Sequence, residues 1–334
     1  MIKNNKFFLK NFSNVVIFGQ ALDEFIHTNN ELKLSTIVIT STDQSKFLNK
    51  KLLNFKIFDS VDHKCINFLK KKTNFKKTLF IGCGPRYIFK EETLKIFENN
   101  FINIHNTRLP LDAGGGSSSW TIMREDRLCN ICIHIMTKDI DGGPIIANEL
   151  SIYPKDCIIP KNLHEFGKKK LVKFYKNFMT DLINEKEFLL RPQSNYLSRY
   201  NPRLSTQTNS FIDWNLNSYD LINFINAFDD PYDGASTYLN NGNFGTLHLK
   251  KVQLHGGDSS NHPYMSGIVS RKDKNWITVC TSTKHMLLVE NVINSKGVNI
   301  INQIKTGDRF FTPYEKLDSA KNKRIFYNSR GIKK

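Results

Sequence analysis

Residues 101–149 read FINIHNTRLPLDAGGGSSSWTIMREDRLCNICIHIMTKDIDGGPIIANE, and the reading of the whole chain turns on them. The stretch opens with a short apolar, β-branched run that ends in His105. A Gly-rich turn and an amphipathic segment follow. A second strand of alternating character, Ile131-Cys132-Ile133-His134-Ile135-Met136, then runs into Asp141-Gly142-Gly143-Pro144. In an open α/β sheet the carboxyl ends of the strands face the ligand crevice, and His105 falls at such an end.

Upstream, NVVIFG (14–19), STIVIT (35–40), a short FKIF (55–58) and TLFIGCG (78–84) read as strands. Helical patterns over 20–30, 62–72 and 91–99 separate them. Strands alternating with helices predict a doubly wound, mainly parallel sheet. Gly19 opens no G-x-G-x-x-G, so no dinucleotide site is assigned there. Downstream, Leu163, Phe166, Leu171, Phe174, Phe178 and Leu182 recur at helical spacing and predict a long amphipathic helix over the sheet. A polar link without periodicity covers 191–210. Next comes a helix whose cap is Asn217 or Ser218, with Leu221, Ile222, Phe224, Ile225 and Phe228 on its buried side. Short β segments (ASTYL, GTLHLKKVQL, SGIVS, WITVCT, MLLVENV) follow and suggest a small barrel.

The 334 residues suffice for roughly two domains. No apolar run approaches the length of a membrane span. The basic start MIKNNKFFLKNF lacks an apolar core and cleavage site, so a cytoplasmic location is expected. Six scattered cysteines (65, 83, 129, 132, 157, 280) do not resemble a disulfide framework. Cys129-x-x-Cys132 has no second pair at zinc spacing, so no metal is expected. His134, sharing a strand face with Cys132, reads as a core histidine. The net charge of +17 suits an anionic partner, but a chain heavy in Asn, Ile, Phe and Lys acquires such charge from AT-rich coding as well.

Asn103-x-His105, Leu109-Pro110, a Gly-rich loop and Asp141-x-Gly143-Pro144, with 36 residues between His105 and Asp141, resemble the core of the formyltetrahydrofolate-dependent formyltransferases. That family includes methionyl-tRNA, glycinamide ribonucleotide and nucleotide-amino-sugar formyltransferases. Asp213-Trp214, a helix and Pro231-Tyr232-x-Gly234-Ala235 match a further family pattern, and Gly307-Asp308-Arg309-Phe310 resembles its closing turn. The resemblance covers about 75–320. It implies an α/β, Rossmann-like catalytic domain (1–190), a linker (191–210) and a small β-rich, OB-like C-terminal domain (211–334).

The implied cofactor is N10-formyltetrahydrofolate as formyl donor, without a metal. Moving a formyl group to an amine requires donors for a developing oxyanion and a base for the amine proton. By resemblance Asn103 supplies a donor, and His105 and Asp141 carry the proton transfers. The turn holding Cys83, Gly84, Pro85, Arg86 and Tyr87 is implied to line the pterin pocket, though it also reads as a plain strand-to-helix turn. Thr137, Lys138, Asp139 and Ile140 are implied to bond the pterin edge through their backbone.

Departures from the family bear on the acceptor. Gly19-Gln20-Ala21 stands where methionyl-tRNA enzymes carry Gly-Thr-Pro, and 41–54 is shorter than their basic insertion. Asn106 after the histidine is more like the amino-sugar enzymes, and the usual loop Arg is missing from 107–114. Asn106, Arg108, Gly114 and Gly115 are assigned to the acceptor. The Gly114-Gly115-Gly116-Ser117-Ser118-Ser119 loop either cradles a phosphate or is a flexible lid. A nucleotide-linked amino sugar is favoured as partner, with initiator tRNA as the alternative, no membrane, and a homodimer left open. A non-catalytic folate or nucleotide binder is a further alternative.

Overall fold

The computed structural model describes residues 2–3, 5–49, 54–97, 100–115, 117–194, 196, 198–240 and 242–332. Five parallel strands form most of a seven-stranded sheet: β1 (Asn14–Gly19), β2 (Ser35–Thr40), β3 (Phe55–Ile57), β4 (Thr78–Cys83) and β5 (Phe101–His105). Antiparallel β6 (Leu128–Ile135) and β7 (Ile145–Ile152) extend it past β5, giving the order β7-β6-β5-β4-β1-β2-β3. The sheet is therefore mixed, because the β5-to-β6 connection carries helix α4 (Ser117–Met123) but returns in the opposite direction.

Side-chain alternation divides the sheet into two cores, as expected where helices cover both faces. Val15, Ile17, Leu79, Ile81, Ile102 and Ile104 pack against α1 (Asp23–Glu31) and the long α5 (Pro160–Ile183). Their neighbours Val16, Phe18, Phe80 and Phe101 pack on the other face against α2 (His63–Lys72) and α3 (Glu91–Phe97). Residues 98–99, expected to finish α3, lie outside the described residues. Pro160 starts α5, where its missing N–H costs nothing. Tyr175, Met179 and Leu182 of α5 are fully buried, each such burial worth roughly 1.5–3 kcal/mol. The Tyr175 hydroxyl is satisfied by donating to Asn29 Oδ1 at 2.8 Å, and the ring stacks on Phe25 at 3.9 Å.

The C-terminal part is an antiparallel sheet of β8 (Ala235–Leu239), β9 (Leu247–His255), β10 (Val269–Lys272), β11 (Ile277–Cys280), β12 (Met286–Asn294) and β13 (Phe310–Phe311), in the order β10-β11-β12-β9-β8-β13. Its two edges meet: Ile268 bridges Arg309, and Phe310 N–H donates to the Gly267 carbonyl at 2.8 Å. That closure makes the sheet barrel-like and leaves little unpaired edge. Helix α6 (Ser218–Asn226) covers it, capped by Asn217, whose Oδ1 accepts from the amides of Tyr219 and Asp220 at 3.0 Å each. Trp214 lies in the core stacked on Phe310 and donates to Thr237 Oγ1 at 3.0 Å.

Two features were not legible in the sequence. The 191–210 link is docked: its Arg199–Asn201 piece pairs in parallel with Asp112–Gly114. After helix α7 (Tyr314–Asn322), the chain returns to the N-terminal sheet, where the Asp43 amide donates to the Ser329 carbonyl at 3.2 Å. Among the described residues no helix is long and apolar enough to cross a membrane.

Candidate active site

Register brings the site together. In the antiparallel β5–β6 pair Asn103 stands directly opposite His134, so their side chains share a face. His134 is 1% exposed, and its Nδ1 lies 2.9 Å from the Ile135 carbonyl oxygen. A carbonyl only accepts, so Nδ1 carries the hydrogen and Nε2 of the neutral ring is an acceptor. The Asn103 amide accordingly donates to His134 Nε2 at 3.1 Å, which fixes which way the amide points. Burial, with a charge on His105 acting in the same direction and Asp141 opposing both, pushes the His134 pKa down to about 4. The ring is neutral at pH 7.

His105 ends β5 with its Nε2 3.4 Å from Asp141 Oδ2, close enough for an ion pair but outside hydrogen-bond geometry. Burial lowers its pKa, the Arg203 guanidinium adds to the effect, and Asp141 works against it. Asp141 Oδ1 lies 3.8 Å from His134 Nε2, so the carboxylate stands near both rings. It adopts a left-handed backbone (φ 55°), which Asp tolerates. The Gly114 amide donates to Asp141 Oδ2 at 3.1 Å. Gln193 bonds the carbonyls of Asp141 at 2.7 Å and Gly143 at 2.6 Å, tying the link to this loop.

These groups open into a cleft of about 450 Å³. Residues 84–89 form one wall and 137–141 another, with Asn103, His105, Gly114, Gly115 and Met136 between them. A cleft of this size suits a drug-sized ligand. Among the described residues, its floor holds two buried polar atoms without a hydrogen-bond partner, Asn103 Oδ1 and His105 Nε2. Such atoms are costly unless a ligand or water reaches them. The cleft therefore fits a folate-sized donor with polar groups to present to the floor and an aromatic body to lay along Tyr87, Phe89 and Met136.

Of the residues assigned to the donor, Gly84, Pro85, Arg86, Tyr87, Thr137, Lys138, Asp139 and Ile140 line this cleft. Cys83 does not. It shares a strand face with Ile81 and packs against the core beneath α5, where burial pushes its thiol up to about 12. The residues assigned to the acceptor divide. Gly114 and Gly115 face the cleft, whereas Asn106 and Arg108 line a separate cavity of about 200 Å³. Arg108 is held there by Asp126 at 2.8 Å and Asp112 at 3.5 Å. Burial works to raise the Asp112 pKa, but bonds from Arg199 and Asn201 and the charge of Arg124 hold it below the ordinary value. The loop expected at 114–119 is described except for Gly116 and the Ser117 side chain.

Among the contributors that escaped the sequence reading are His134, Gln193, Tyr200 and Arg203. His134 is buried and satisfied, as a core histidine should be, but its partner is Asn103. The other three come from the link, where no periodicity announced them.

Comparison with known proteins agrees with this architecture. Residues 204–305 match the formyl transferase C-terminal domain. The chain is 26% identical over 212 residues to the bifunctional polymyxin resistance protein ArnA of Wigglesworthia glossinidia brevipalpis, covering 60% of this chain and 30% of that protein. It is 25% identical over 240 residues to the methionyl-tRNA formyltransferase of Mycoplasma capricolum, covering 69% of this chain and 73% of the other. Among solved structures, WlaRD, a sugar 3N-formyltransferase studied with dTDP and 5-N-formyl-THF, aligns with a TM-score of 0.58 at 16% identity, over 84% of this chain and 97% of that one. An N-formyltransferase from Helicobacter canadensis, in complex with folinic acid and dTDP-3-aminofucose, aligns at 0.59 and 15% identity, over 84% and 99%. Residues 204–305 thus match the formyl transferase C-terminal domain, and over most of its length the chain resembles formyltransferases in sequence and in fold.

Proposed function

We propose that the protein transfers a formyl group from N10-formyltetrahydrofolate to a primary amine, with a nucleotide-linked amino sugar as acceptor. The observation that carries this reading is the convergence of Asn103, His105 and Asp141 at the floor of one cleft, with His105 Nε2 3.4 Å from Asp141 Oδ2. When bound, the donor supplies the activated formyl group. The Asn103 amide keeps one N–H free of His134 and offers it to the formyl oxygen as negative charge develops. Neutral His105 takes the proton from the attacking amine, and the imidazolium so formed returns it to the N10 nitrogen as that nitrogen departs. Asp141 orients the ring and stabilises the cation that forms, as a carboxylate beside an imidazole does. Residues 84–87 and 137–140 hold the donor. The same reading divides the chain into a catalytic part (1–190), a link (191–210) and a C-terminal part (211–334).

The nucleotide-sugar acceptor is supported by the short 41–54 segment, which lacks the basic insertion of the tRNA enzymes. A second reading, formylation of initiator methionyl-tRNA, draws on the mycoplasmal relative and the charge of +17. The two differ in salt dependence, because a tRNA contacts many phosphates and its affinity falls steeply with salt. The test is formyl transfer from 10-formyltetrahydrofolate to dTDP-, UDP- and GDP-linked amino sugars beside charged initiator tRNA. Turnover of a sugar is expected. Efficient formylation of tRNA alone would reverse the choice.

A further inference from the structure

The last part of the chain takes part in the cleft. Ile325, Phe326 and Tyr327 line it, although they lie more than 120 residues from the nearest other lining residue, Arg203. Their path is specified by contacts at both ends. Lys321 pairs with Asp213 at 3.1 Å, and Asn209 donates to the carbonyls of Ala320 at 2.8 Å and Lys323 at 3.3 Å, so α7 is fixed to the C-terminal half. Ile325 is then 8% exposed. Beyond it Tyr327–Asn328 and Gly331–Ile332 form a minimal hairpin. A hairpin this short is not stable by itself, so its position must come from what it docks on. The Asp43 amide holds the Ser329 carbonyl at 3.2 Å, and Arg330 Nε lies 3.5 Å from Asp59 Oδ2. Both acidic residues follow the carboxyl ends of sheet strands, β2 and β3, which is the rim of the cleft.

Tyr327 is the centre of this docking. The Arg86 guanidinium lies over its ring at 4.3 Å and that of Arg203 at 5.5 Å, both within cation–π range. Arg86 also reaches Asp43 at 3.3 Å, the residue whose amide holds the hairpin. Among the described residues Arg203 pairs with no carboxylate, and it is the cation that depresses His105. One aromatic ring thus gathers a cation from the 84–89 wall and a cation from the link.

We propose that residues 325–332 are a wall of the donor cleft, and that Tyr327 holds a planar, anionic donor there by offering its ring and by positioning Arg86 and Arg203. This rests on the folate-donor reading above. The opposite wall is backbone-rich and polar at 137–141, so a flat heteroaromatic ligand would bond one wall by its edge and lie against the other by its face. The two guanidinium groups suit the carboxylates that a folate carries at its far end.

The test is calorimetric titration of 5-formyltetrahydrofolate into the full-length chain and its variants. Tyr327 is half-buried and belongs to none of the hydrophobic cores, so Tyr327→Ala should leave the melting temperature unchanged. It should raise Kd about five- to tenfold, the scale of one aromatic contact. Tyr327→Phe keeps the ring and should bind within about twofold of the parent. Arg330→Ala, which loosens the hairpin without touching the cleft, should fall between them. Equal or tighter binding by Tyr327→Ala overturns the proposal, tighter binding marking the segment as a plug. If the intact chain binds no folate, the donor reading fails and this one with it. If it binds and Tyr327→Ala changes only the acceptor KM, this inference alone fails.

Discussion

The Asn103 side-chain amide donates to His134 Nε2 at 3.1 Å, and the opposite ring nitrogen of His134 is anchored on the Ile135 carbonyl at 2.9 Å. The anchored ring is what keeps the Asn103 nitrogen, rather than its oxygen, on the His134 side. His134→Ala should therefore lower kcat on the order of tenfold or more, as a misplaced reacting group does. Kd for 5-formyltetrahydrofolate should hardly change, because His134 does not line the cleft. Single-turnover kinetics beside titration separates the two, and an unchanged kcat would remove His134 from the machinery.

His105→Ala and Asp141→Asn each remove a proposed proton-transfer group. Each should cut turnover by ~10²-fold or more, the scale of general acid–base terms. Both should still bind the donor analogue and raise the melting temperature in its presence, since a ligand of the folded state stabilises it. Full activity in both variants, with folding verified, would sink the assignment.

The pH dependence has a defined sign. Both histidines have pKa values below the ordinary 6.5, His134 near 4. The unfolded chain then takes up protons before the folded one, so these groups cost stability as pH falls from 6.5 toward 4 and have no effect above it. Activity should be level above about pH 6.5 and fall on the acid side as His105, the proposed base, is protonated. Thermal melts and kcat/KM measured from pH 4 to 8 check both. An acid limb centred above 6.5 would contradict the burial argument.

Gly143 follows Asp141 by two residues, and a Cβ there would collide with the Ile135 carbonyl oxygen, which is backbone and cannot step aside. Gly143→Ala should cost about 1–3 kcal/mol of stability. It should also weaken donor binding, because 137–141 must move. Chemical denaturation with analogue titration reads both, and a variant with parental stability would show that the loop has slack.

Trp214 fixes the C-terminal barrel through its stack on Phe310 and its bond to Thr237. Trp214→Ala should destabilise by about 3–5 kcal/mol. Equilibrium unfolding measures it. Loss below ~1 kcal/mol would mean the core repacks around the gap.

Much of the fold was legible because it is local. The strands β1, β2, β4 and β5 are β-branched or aromatic runs bounded by polar turns, and α5 repeats its apolar residues every three or four positions. Asn103, His105 and Asp141 were legible because they lie on two neighbouring segments with a fixed spacing. Cys83 was misassigned to the cleft because a strand's period of two turns it to the opposite face from its neighbours, and the turn was read as a unit. Asn106 and Arg108 were grouped with Gly114 and Gly115 by proximity in sequence, but the chain between them bends around Asp112, whose bonds come from 124, 199 and 201.

By itself the sequence determined the alternation of strands and helices, a helix cap at Asn217 or Ser218 and the polar residues at the end of β5. These follow from periodicity and from hydrogen bonds spanning a few residues. The tertiary structure decided the rest: that β6 pairs antiparallel and sets His134 against Asn103, that Gln193 and Arg203 of the link reach the cleft, and that Tyr327 returns to its rim. Each depends on contacts between residues 31 to 286 positions apart, the widest being Asp43 with Ser329. Such contacts leave no local pattern, because closing a long loop costs only slowly more as it lengthens and the residues within it remain free to vary.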